Sequence, residues 1–96
     1  MNYVQTFFDI LKAELVAIDS YMNNCDDLVE MYELLGMTKK LDVTLKDVHE
    51  AWAIWRNRTK PNHKDLIPFE ELSQEVQEWD RPYLDAIRRA VKIYYN

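Results

Sequence analysis

A single glycine, Gly36, stands in a chain of 96 residues. Tight two-residue hairpins rely on glycine at positive φ, so they are largely closed to this sequence. Glycine-rich phosphate loops and the dinucleotide fingerprint need several glycines at fixed spacing and are excluded. What remains is a helical chain, and the apolar residues agree. Val4, Phe8, Leu11, Leu15, Ile18, Met22 and Cys25 alternate steps of four and three, a heptad seam that Phe7 and Ile10 widen. The pattern continues through Val29 and Tyr32. An unbroken helix from Tyr3 to Leu35 would be about 50 Å long at 1.5 Å per residue. A domain of this size has a radius of gyration of only about 13 Å. Residues 1–35 are therefore either one protruding helix or a hairpin. The poor helix formers Asn23-Asn24-Cys25-Asp26-Asp27 mark the expected break. Gly36 is the expected left-handed cap after the second helix.

The rest of the chain is also punctuated for helices. Thr44 with Asp47 three residues later reads as a capping box that opens a helix. Leu45, Val48, Trp52 and Trp55 form its apolar stripe, and the helix should fray before Pro61. Pro68 starts a helical turn, Ser73 caps a short helix to about Trp79, and Pro82 begins the last helix, with Leu84, Ile87, Val91 and Tyr94 inward. The fold class expected is all-α: an N-terminal amphipathic helix or helical hairpin, residues 1–40, followed by a helical module, residues 41–96. A domain this small has a thin core, and the N-terminal segment is the expected oligomerisation element of a homo-oligomer.

Charge and chemistry narrow the function. Residues 1–44 carry the net charge of −5, with eight acids against three lysines, while the remainder balances nine against nine. That argues against general nucleic-acid binding. The lone Cys25 forms no internal disulfide, sits on the heptad seam and fits a reducing, cytoplasmic setting. No apolar run is long enough for a bilayer, and the N-terminus lacks a signal-peptide pattern. His49-Glu50 lacks the second histidine of a zinc-protease helix, since Ala53 stands there. We expect no catalytic residue, no metal site and no cofactor. His49 reads as a structural hydrogen-bonding residue, and His63 as a loop anchor or an anion contact. One acid-free stretch stands out: Arg56, Arg58, Lys60, His63 and Lys64 follow directly on Trp55. Aromatic faces beside arginine and lysine can stack a planar base and pair its phosphate.

Three blocks resemble the RyR domain, the repeat of ryanodine receptors that also occurs as small single-domain bacterial and phage proteins. They are Val48-His49-Glu50-Ala51-Trp52-Ala53, then His63-Lys64-Asp65-Leu66-Ile67-Pro68-Phe69, then Glu70-Glu71-Leu72-Ser73 with Glu78-Trp79-Asp80-Arg81. The resemblance implies a helical module without catalysis that senses nucleotide-type ligands. In a phage protein of the host cytoplasm, it implies sequestration of a cyclic-nucleotide defence signal.

The resulting expectation is a non-enzymatic protein that binds a small anionic ligand, a nucleotide or cyclic nucleotide. Trp55, Phe69 or Tyr83 would contact the base. Arg56, Arg58, Lys60, Lys64 and Arg81 would hold the phosphate, with His63 beside them. The alternative is a protein–protein interaction module acting through its N-terminal amphipathic helix.

Overall fold

The computed structural model describes residues 2–95. It is all-helical, as the sequence predicts: α1 (Tyr3–Ile18), α2 (Asp26–Lys39), α3 (Leu45–Asn57), the short α4 (Gln74–Glu78) and α5 (Arg81–Tyr95), with 3₁₀ turns between several of them. The side chain of Asn2 starts α1 by accepting from the Gln5 amide, 2.9 Å. The helix stops at Asp19, whose backbone is extended. This is earlier than the Asn23–Asp27 run. The seam hides the stop, because Ser20–Asn24 continue as a 3₁₀ turn of three residues per turn. That spacing keeps Met22 and Cys25 on the inner side, 2% and 3% exposed. Residues 2–35 are thus a hairpin and not one long helix.

The capping box forms as expected. Thr44 Oγ1 accepts from the Asp47 amide (3.2 Å) and Asp47 Oδ2 from the Thr44 amide (2.9 Å). Pro68 precedes a 3₁₀ turn, Phe69–Glu71, and Ser73 Oγ accepts from the Val76 amide at the start of α4. Arg81 and Pro82 both lie in the first turn of α5. Gly36 departs from its expected role. It lies inside α2 and has no positive φ; among the described non-glycine residues that conformation belongs to Lys40, with φ 53°.

Long-range pairs give the helix directions. Phe7 meets Tyr94 and Tyr95, Glu14 meets Arg89 and Asp19 meets Tyr83, so α1 and α5 run antiparallel. Lys12 pairs with Asp26 while Gly36 faces Phe7, which sets α2 antiparallel to α1. Lys39–Asp47 and Asp27–Arg58 set α3 antiparallel to α2. One core runs through all four long helices: Phe7, Leu11 and Leu15 of α1, Val29 and Tyr32 of α2, Val48 of α3, and Leu84, Ile87 and Val91 of α5. Phe7, Leu11 and Leu15 are fully buried, whereas Val4 and Ile18 of the predicted seam are exposed. The inner face of α1 is therefore covered by its own chain, chiefly by α5, and does not lie open to a second copy.

Candidate functional site

α3 presents Trp52 and Arg56 one turn apart on one face, and the loop, α4 and the start of α5 fold back over it. His49 holds this arrangement from below. It is 3% exposed, and its Nε2–H donates to the Ile67 carbonyl, 2.9 Å, which pins the loop to the helix. His63 Nδ1 accepts from the Asp65 amide, 3.1 Å, and its ring stands edge-on to Trp52 with centroids 5.1 Å apart. Both histidines do structural work here, His63 as a loop anchor.

Two cavities share Trp52, Arg56 and Asp80 as a common wall. The first, about 290 Å³, adds His63, Asp65, Val76 and Trp79. The second, about 160 Å³, adds Asp19, Cys25, Tyr32, Trp55 and Tyr83. The Arg56 guanidinium lies over the Trp55 ring, 4.5 Å from its centroid. Its Nε is buried and has no hydrogen-bond partner among the described residues. Across the wall, burial raises the Asp80 carboxyl above its ordinary range, against the opposing charge of His49. Tyr83 donates its hydroxyl to Asp19, 2.7 Å. Burial first, and that bond second, push the phenol far up, so it stays a donor. Burial, then the charge of Asp27, also raises the Cys25 thiol. A protonated thiol is a poor nucleophile.

The structure divides the expected ligand residues. Trp55, Arg56 and Tyr83 meet at the second cavity, and Arg56 and His63 at the first. Lys60 and Lys64 are exposed and line neither. Arg58 reaches Asp27 at 3.6 Å. Arg81 forms a two-pronged bond with Glu78, 3.0 and 3.1 Å, and with Phe69 lines a separate cleft beside Thr44 and Arg88. Periodicity places Trp52 on the apolar stripe of α3, and both Trp52 and Asp80 fall outside the residues expected to hold the ligand. Asp80 does hold the start of α5, its carbonyl accepting from the Leu84 amide, 3.0 Å. Among the described residues no side chain bonds its carboxylate, and Asp80 lines both cavities. Among the described residues, no three His, Cys, Asp or Glu side chains gather to hold a metal ion, and no helix is long and apolar enough to cross a membrane.

A family model described as a domain of unknown function, DUF7701, matches residues 2–92. The chain belongs to that family. The match overturns the resemblance to the RyR domain and runs through both the N-terminal hairpin and the modules after it. The blocks that carried the resemblance have local structural duties in this chain: His49 bonds the loop, Pro68 precedes a 3₁₀ turn, and Asp80-Arg81 opens α5. Short blocks that mark helix starts and loop anchors recur without common descent. No curated protein and no solved structure matches the chain.

Proposed function

We propose that this DUF7701 domain is a non-enzymatic binding module for a small planar ligand carrying negative charge, a nucleobase or a nucleotide being the class that fits. The observation that carries this reading is the buried, unpartnered Nε of Arg56 on the wall between two cavities faced by Trp52, Trp55 and Trp79. An unsatisfied buried donor costs about 1–3 kcal/mol. A guanidinium in such a place offers a directed bond to an acceptor that enters from outside. Asp80 on the same wall offers the matching acceptor, so a ring with both a carbonyl and an amine on its edge suits the pair. The tryptophans supply faces for stacking.

Size limits the ligand. Drug-sized ligands occupy clefts of about 300–1,000 Å³. The larger of the two cavities, about 290 Å³, lies just below that range and suits a single ring system. A phosphate would extend outward toward the exposed Lys60 and Lys64. The competing reading, an interaction module acting through α1, is less well supported, because the apolar face of α1 is already buried against α5.

Calorimetric titration against nucleobases, nucleosides and cyclic and linear nucleotides tests the proposal. We expect at least one to bind with Kd below about 1 mM, and Arg56→Met to weaken it about tenfold or more. Absence of binding across the panel, or binding indifferent to Arg56→Met, defeats it.

A further inference from the structure

A second groove, between α1 and α2, has the opposite charge. Asp26, Glu30 and Glu33 lie four and three residues apart, hence on one face of α2. That face meets Val4, Gln5 and Phe8 of α1 across a groove of about 320 Å³. Asp26 has a cation at hand, Lys12 at 2.7 Å. Asp9, on the α1 side, accepts from the Gln5 amide group, 2.8 Å, which orients it without neutralising it. Among the described residues, no lysine or arginine pairs with Glu30 or Glu33. Glu33 is the decisive residue. It is 6% exposed, and its Oε2 is buried without a hydrogen-bond partner among the described residues. Burial, then the charges of Glu30 and Asp9, push its carboxyl above the ordinary range. A fold that needed only packing here would be better served by an apolar side chain of similar volume.

We propose that the α1–α2 groove binds a linear alkyl polyamine, with one ammonium on Glu33 and the next on Glu30, and the methylenes between them against Val4 and Phe8. The carboxylates are strung along a helix and not gathered round a point, which suits a chain of cations and not a metal ion. Side chains one helical turn apart stand about 5–6 Å from one another. A propyl or butyl spacer separates two ammonium groups by a similar distance.

The test is titration of the isotope-labelled full chain with spermidine, followed by amide shifts, with sodium chloride at matched ionic strength as control. Saturable shifts at residues 4–8 and 26–33, with Kd below about 1 mM, are expected. Glu33→Gln should weaken binding about tenfold, and Glu71→Gln, in the Phe69–Glu71 turn and not lining the groove, should leave it unchanged. Glu30→Gln, an exposed position, should weaken it as well, so the proposal does not depend on one buried substitution folding. It is overturned if sodium chloride reproduces the shifts, if they scatter over Asp19, Glu70 and Glu75, if neither variant loses affinity, or if a lysine-rich peptide binds there and spermidine does not.

Discussion

The ring of Phe7 fills the space in which a side chain on Gly36 would stand: Cζ and Cε2 lie 2.8 and 3.0 Å from the position a Cβ would take there, and Ile87 Cγ2 lies at 3.5 Å. Gly36 therefore lets α1 and α2 approach closely, where its sequence position suggested a helix cap. Two effects oppose each other in Gly36→Ala. Alanine is the better helix former by about 1 kcal/mol. Forcing a methyl group into a packed core costs about 1–3 kcal/mol. Phe7 is fully buried and braced by Tyr94 and Tyr95, so its ring has little room to yield. We expect Gly36→Ala to lose about 1 kcal/mol in urea unfolding, and a smaller loss when it is combined with Phe7→Leu than the two single losses predict together. A gain in stability from Gly36→Ala alone would show that the ring moves aside freely.

That glycine also shows what the sequence could and could not tell. Helix starts were legible because each has its own short-range chemistry, as at Thr44 with Asp47 and at Ser73. The stop at Asp19 was not, because a 3₁₀ turn carries Met22 and Cys25 inward at nearly the spacing of the helix before it. Gly36 was misplaced because glycine can serve either a positive φ or a close approach, and only the position of Phe7 decides between them. The site was half legible. Trp55, Arg56 and Tyr83 line one cavity of the candidate cleft, while Asp19, Trp79 and Asp80 reach its two cavities from turns whose fold-back no periodicity encodes.

Asp19 ties three segments by accepting from the Tyr21 amide at 3.1 Å and from the Tyr83 hydroxyl at 2.7 Å. Tyr83→Phe removes the second bond with almost no change of shape. Hydrogen bonds to charged groups contribute about 1.5–3 kcal/mol, and partial exposure places this one at the lower end. We expect a loss of about 1–2 kcal/mol by urea unfolding. Both Tyr83 and the buried Tyr32 have phenols raised well above their ordinary value by burial. A folded pKa above the unfolded one means that this stability is present below pH 10 and fades as pH rises past it. Absorbance titration should show two tyrosines still protonated at about pH 11, ionising only when the protein unfolds; release of all six in one step near pH 10 would contradict the burial.

The Thr44–Asp47 box should carry an acid-side dependence of opposite sign. Burial opposes ionisation of Asp47, but bonds from Lys39 (2.7 Å) and from the Thr44 amide outweigh it, and the carboxyl lies below its ordinary value. A lowered folded pKa gives stability that is complete above the unfolded value of about 3.9 and disappears as pH falls through the folded one. Thr44→Ala should cost about 1 kcal/mol at pH 7. Asp47→Asn should be less stable than the wild type at pH 7 and equal to it near pH 2, as read from paired thermal melts. A gap that persists in acid would assign the effect to packing and not to charge.

The groups best placed for binding should be those the fold needs least. Arg56→Met gives up a contact over Trp55 that contributes about 0.5–1 kcal/mol, and it also removes a buried donor with no partner. The two nearly cancel, so stability should change by less than about 1 kcal/mol. Asp80→Asn goes further. Asparagine is as good a residue before a helix as aspartate, and it removes a carboxylate whose ionisation burial opposes. With the folded pKa above the unfolded one, the wild type loses stability as pH rises through the interval between them, and the variant does not. Asp80→Asn should therefore match the wild type near pH 3 and exceed it at pH 7. If both substitutions instead unfold the protein at neutral pH, Arg56 and Asp80 are structural, and the cleft they share has no claim to be a binding site.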